Sequence, residues 1–157
     1  FQIPFDISSM LLEDGMANDT ILPDHTLSKA GEDYLEAIYR ISLDQPENDR
    51  SVRSVDIAES LDVSKASVNK ALSLLKEQGM VEQSRYGRVT LTSDGEETAR
   101  QVWRAHRALR TFLEYDLHVD KDTADREACL MEHTLSLGTM TKLIAFLENR
   151  GITIDEK

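Results

Sequence analysis

The tightest constraint in the sequence is a two-residue break. Residues 54–79, SVDIAESLDVSKASVNKALSLLKEQG, read as two short helices separated only around Asp62 and Val63. Two helices joined so closely form a helix-turn-helix. Ser54 is the expected N-cap of the first, which runs to about Leu61. Ser64 is the expected N-cap of the second, from Lys65 to about Gln78, with Gly79 at its C-terminal end. Val68, Leu72 and Leu75 recur at i, i+4 and i+7, so one face of the second helix is buried. The opposite face carries Lys65, Ser67, Asn69 and Lys70.

The flanking segments extend this pattern. MVEQSRYGRVTLT alternates like two strands around Arg85-Tyr86-Gly87-Arg88, a hairpin with a basic tip. Upstream, SKAGEDYLEAIYRISL puts Tyr34, Ile38 and Ile41 on one helical stripe with Leu35 and Tyr39 beside it. Gln45 to Asp49, with Pro46, make a loop. Downstream, Ser93 with Glu96 has the spacing of a capping box opening a helix over 94–116. Further helices are expected over 122–136 and 139–149, the last ended by Gly151. Residues 1–27 lack either periodicity and read as an extended or mobile arm.

Charge narrows the function. The net charge of −11 conceals a gradient. Residues 1–49 carry 2 basic and 11 acidic groups, and residues 111–157 carry 5 and 10. Residues 50–110 carry 11 basic and 8 acidic groups, so only this third offers an anion-binding surface. It contains the helix-turn-helix and the hairpin. A recognition helix enters the major groove by its first turns, where small polar residues permit close approach. Ser64, Lys65, Ser67, Asn69, Lys70, Arg85 and Arg88 are therefore the candidate DNA contacts. No apolar run reaches the ~18–20 residues of a membrane helix. No signal segment opens the chain, and the single cysteine, Cys129, excludes an internal disulfide, so a cytoplasmic location is expected.

A second constellation is spread along the chain. Cys129, Glu132 and His133 stand at i, i+3 and i+4, hence on one face of a helix, as a thiol, a carboxylate and an imidazole. Asp33 and Glu36 stand at i and i+3 on the first helix. His106 lies on an apolar stripe with Val102, Leu109 and Leu113. Each has an ordinary explanation alone: a buried cysteine beside a surface pair, two surface acids, a core histidine. Six ligand-type groups on the core-facing sides of three helices point instead to a metal site.

Taken together, these stretches resemble the diphtheria-toxin-repressor family of iron- and manganese-dependent transcription regulators. The resemblance is carried by EDYLEAIY (32–39), DIAESLDVSKASVNKALSLLKEQGMV (56–81), GRVTLTSDGEETA (87–99), His106-Arg107 before an LxxFL run, and EACLMEHTLS (127–136). It implies a mainly α protein: a winged helix-turn-helix DNA-binding domain (28–97), then a helical dimerisation and metal-binding domain (98–150) and a tail (151–157), without the SH3-like domain of longer members. It implies Mn(II) or Fe(II) as cofactor, a homodimer and a palindromic double-stranded operator, and no enzymatic activity. By position, Asp33, Cys129, Glu132 and His133 match one metal site, and Glu36 and His106 match a second, nearby or sharing Glu132. Asp33 resembles the manganese branch, where iron regulators have methionine. Cys129 resembles the iron branch, where many manganese regulators have glutamate. Arg110 stands where both branches often carry an acid, and Asp125 where the iron branch has a histidine ligand. Two other readings stay open on the residues alone. One is a winged-helix regulator responding to a small ligand or to redox at Cys129 without metal. The other is a metal-dependent hydrolase, because Cys129-x-x-Glu132-His133 resembles the H-x-x-E-H pattern with Cys for His.

Overall fold

The computed structural model describes residues 27–154; almost all of the expected arm at 1–27 lies outside them. Helix α1 (Lys29–Leu43) opens the described chain. Ser28 caps it by accepting from the Gly31 amide at 3.1 Å. Its apolar stripe buries Leu35 and Ile38 completely, worth about 1.5–3 kcal/mol for each side chain.

The loop after α1 enters a short strand, β1 (Val52–Arg53), which passes directly into α2 (Ser54–Leu61). The sequence pattern missed β1. Its pairing also shifts the expected cap: Arg53 holds the N-cap position without a capping side chain, and Ser54 is the first helical residue. The Arg53 side chain instead grips Asp56, at 2.6 and 2.9 Å. Asp62 makes the break with a positive φ of 51°. Helix α3 (Lys65–Glu77) is capped by Ser64, as expected, and buries Val68, Leu72 and Leu75.

Strands β2 (Val81–Gln83) and β3 (Arg88–Leu91) form the hairpin, and β3 lies between β1 and β2 in an antiparallel sheet. Val52 pairs with Val89, and Val81 with Leu91. Helix α4 (Ser93–Thr111) is capped by Thr92, not Ser93: the Thr92 hydroxyl accepts from the Gly95 amide and donates to the Gly79 carbonyl. Strand exit fixes this one-residue shift, since the Thr92 amide bonds to Met80 O. Helix α4 continues into a π turn (Phe112–Asp116), so the long helix spans the expected range.

Helix α5 (Lys121–Met131) is shorter than the periodicity predicted, and α6 (Leu137–Asn149) starts earlier, capped by Ser136. The chain turns through residues 132–134, which places both Glu132 and His133 just beyond the end of α5.

Two cores result. The first joins α1, the helix-turn-helix and the sheet through Leu35, Ile38, Ile57, Val68, Leu75, Met80 and Val89. The second joins α4 to α6 through Leu109, Leu113, Met140 and Leu147. Ala105 and Ala108 of α4 and Ala124 and Ala128 of α5 are all buried in it. Small side chains let these two helices approach closely, and that approach sets the spacing of the groups described next. Helix α4 packs against both α1 and α5.

Candidate metal centre and nucleic-acid interface

The first turns of α3 present Ser64, Lys65, Ser67, Asn69 and Lys70 to solvent, while Val68 points inward at 0% exposure. Ser64 and Ser67 hydroxyls bond to each other at 2.9 Å. At the hairpin tip Arg85 is exposed and Tyr86 is 94% exposed. Gly87 turns the chain at φ 75°, a conformation that favours glycine. Arg88 behaves differently from the other basic candidates. Its Nε donates to Ser51 Oγ at 2.6 Å, and Ser51 in turn bonds to Asp49. That arrangement ties Arg88 to the base of the sheet, so the loop after α1 and the hairpin hold each other.

The six ligand-type residues gather between α1, α4 and the end of α5. Ligand atoms of Asp33, Cys129 and Glu132 lie within 4.8 Å of one another. The His133 ring lies beside them, with Nε2 at 2.8 Å from Asp33 Oδ1 and Nδ1 at 2.5 Å from Glu32 Oε2. His106 approaches Glu132 Oε2 through Nδ1 at 2.7 Å and Asp125 Oδ1 through Nε2 at 3.1 Å. Glu36 is buried nearby and meets Arg40 at 3.4 Å. The turn after Met131 leaves His133 beside Cys129 and facing α1.

The electrostatics of the cluster are those of crowded acids. Burial, and then the charge of Glu132, push the Glu36 carboxyl up to about 7. Burial and the neighbouring Glu132, Asp33 and Glu36 push the Cys129 thiol up to about 11. Burial alone would lower His106, but its bonds to Glu132 and Asp125 outweigh this and raise it. Burial would raise Asp125, yet the bond to His106 holds it below the usual carboxylate range. The second oxygen of Glu132, Oε1, is buried and has no hydrogen-bond partner, although His133 Nε2 lies 3.2 Å away. A buried carboxylate oxygen left without a hydrogen bond is costly. The Asp33 carboxylate and the Cys129 thiol, gathered with the Glu132 carboxylate, make a donor set that fits a divalent cation.

Comparison with known proteins places this geometry. Residues 26–89 match the model of the iron dependent repressor N-terminal DNA binding domain. Residues 92–152 match that of the iron dependent repressor metal binding and dimerisation domain. An HTH-type transcriptional regulator of Methanocaldococcus jannaschii is 34% identical over 122 residues, which cover 78% of this chain and 95% of that protein. The chain belongs to the diphtheria-toxin-repressor family of metal-dependent transcriptional repressors. The transcriptional regulator MntR of Salmonella typhimurium is 32% identical, with 79% of this chain and 76% of that protein covered. Among solved structures, the manganese regulator SloR matches with a TM-score of 0.65 and 29% identity, over 75% of this chain and 53% of that one. A manganese-dependent transcriptional repressor in complex with manganese matches with a TM-score of 0.65 and 33% identity, over 75% and 52%. The chain thus spans about half the length of these solved regulators. The family consists of transcriptional regulators, not enzymes, which removes the hydrolase reading.

Four side chains that touch the cluster were not among the ligand candidates read from residue spacing. Glu32 reads as a helix-dipole acid in the first turn of α1, yet it reaches His133. Asp125 precedes Cys129 by one helical turn, a spacing that places it on the same face. Arg40 and Trp103 sit behind Glu36 and His106: the Trp103 ring stacks on His106 at 5.4 Å, and Arg40 lies 4.3 Å above Trp103. No spacing rule links Trp103 to Arg40, because packing of α4 on α1 creates that pair.

Proposed function

We propose that this protein is a cytoplasmic repressor that binds a palindromic double-stranded DNA operator as a homodimer when Mn(II) or Fe(II) is bound. Asp33, Cys129, Glu132 and His133 would hold the ion, with Glu36 and His106 supporting Glu132. When bound, a divalent cation supplies positive charge to these crowded donors. The observation that carries the reading is the convergence of the Asp33, Cys129 and Glu132 donors within 4.8 Å of one another, with the buried Glu132 Oε1 lacking a hydrogen bond.

The chain's own residues explain why such a site would matter for DNA. Asp33 sits on α1 between Tyr34 and Leu35 of the first core on one side and the α5 end on the other. The helix that carries Asp33 thus also carries the apolar wall of the DNA-binding head. Drawing Asp33 towards Cys129 and Glu132 would fix the head, residues 28–97, against the helical region 98–150. In a homodimer this sets the separation of two α3 helices near one DNA turn, ~34 Å. A preference of about 1–3 kcal/mol for that geometry gives useful coupling. Exposed Leu117, Leu130 and Leu137 in the helical region support a partner surface there. In the head, Ser64, Lys65, Ser67, Asn69 and Lys70 face the groove and Arg85 the backbone, with Arg88 bracing the wing.

Redox control at Cys129 is the weaker reading, because a thiol held near 11 is a poor nucleophile at neutral pH. Metal titration of the purified protein tests the proposal. Glu132→Gln is expected to abolish Mn(II) binding at concentrations that saturate the parent. Equal binding by the variant and the parent overturns it.

A further inference from the structure

The cluster has two ends, and they differ in what already occupies them. At the α1 end, Glu132 lies with Asp33 and Cys129, and its buried Oε1 has no hydrogen-bond partner. At the other end each acid has a resident partner. Glu132 Oε2 is held by His106, and the far nitrogen of His106 by Asp125. Asp125 Oδ1 is met by Arg110 Nη1 at 3.4 Å, while Arg110 Nε donates to Glu114 at 3.0 Å. Glu36 is met by Arg40 at 3.4 Å, and Arg40 is braced over the Trp103 ring.

Resting on the metal-regulator reading above, we propose that Arg110 is a built-in cation that takes the place of a second metal ion, so that each protomer binds a single divalent ion at the Asp33–Cys129–Glu132 end. Glu132 and Asp125 meet opposite nitrogens of His106, so a second ion would sit on one side of that ring or the other. Arg110 is permanently charged, and its planar guanidinium suits carboxylate partners. Two carboxylates, Asp125 and Glu114, fix it in place. A dication on the Asp125 side of His106 would share Asp125 with that guanidinium and be repelled by it. On the Glu36 side it meets Arg40 in the same role. Arginine gives the second position its charge without depending on metal supply, and the ion at the first position alone then reports metal concentration.

Stoichiometry tests this directly. The full chain is dialysed against Mn(II), and bound metal per protomer is counted by elemental analysis. The spin-resonance spectrum shows whether ions lie close enough to couple. The parent is expected to bind one Mn(II) per protomer with an uncoupled spectrum. Arg110→Glu is expected to bind two, with a coupled spectrum. Arg110→Gln, which keeps the size and removes only the charge, is expected to show a weaker second binding step. Two coupled ions in the parent overturn the proposal and leave the metal-regulator reading standing. No bound ion in the parent overturns that reading itself. One ion in both folded variants shows that Arg110 is not what excludes the second and also overturns the proposal.

Discussion

Glu36 gives the metal-free protein a stability that falls as pH rises through neutrality. Burial and the neighbouring Glu132 charge push its carboxyl up to about 7 in the folded chain, from 4.5 for an ordinary glutamate. The fold therefore prefers the protonated acid. The stabilisation is complete below 4.5 and is lost as pH rises through 7. Between pH 5 and pH 8 the ionisation of this one group costs the fold on the order of 2 kcal/mol. His106, also raised, acts with the same sign. Asp125, lowered, acts only in acid and does not oppose it in this window. Glu36→Gln cannot ionise. Urea unfolding in the presence of a chelator, at pH 5 and at pH 8, should show the pH dependence of the variant reduced by about 2 kcal/mol. The variant should also be the more stable protein at pH 8. An equal loss of stability in parent and variant refutes the reasoning, because it removes Glu36 as the source of strain in the cluster.

Other predictions follow from the same structure. A Cβ added at Gly95 would lie 1.9 Å from the Met80 carbonyl oxygen, so Gly95→Ala should lower stability by about 3 kcal/mol or more, measured by thermal or urea unfolding. Lys70→Ala should weaken DNA binding and reduce its salt slope by about one unit, with Mn(II) affinity unchanged; an unaltered slope removes Lys70 from the interface. Arg88→Ala should lower stability by about 1–2 kcal/mol through loss of its bond to Ser51, visible as faster amide exchange in the hairpin. Asp33→Met should lower Mn(II) affinity more than Fe(II) affinity, since it removes a hard anionic oxygen, and Cys129→Glu should shift the preference the other way, both read by competitive metal titration.

The parts of the fold that were legible in sequence are those set by local chemistry. Ser64 caps α3 because its hydroxyl competes well for the free amide of Ser67, three residues on. The stripe of Val68, Leu72 and Leu75 needs only helical period. The remaining features are decided by distant partners. Strand β1 is two residues long, and only pairing with β3 makes it a strand. The cap of α4 moved from Ser93 to Thr92 because Met80 and Gly79 bind Thr92 from across the hairpin. In the candidate site, Asp33, Cys129 and Glu132 were readable as donor types at helical spacing, and the structure brings them together. Glu132 and His133 both follow the last residue of α5, and the turn there keeps them beside Cys129. The bracing by Arg40, Trp103 and Arg110 depends on how α1, α4 and α5 pack, which no single helix encodes.

The central claim is that divalent metal at this centre controls DNA binding. It is tested most directly by selecting duplexes from a random pool with the full chain in Mn(II), then titrating one selected duplex by fluorescence anisotropy. The titration is repeated with Mn(II), with Fe(II) and with chelator, at fixed salt. The account predicts that removing metal weakens binding at least about tenfold, the effect of a coupling near 1.4 kcal/mol, and that Glu132→Gln in Mn(II) binds like the parent in chelator. Equal affinity of the parent for its duplex with and without metal contradicts it.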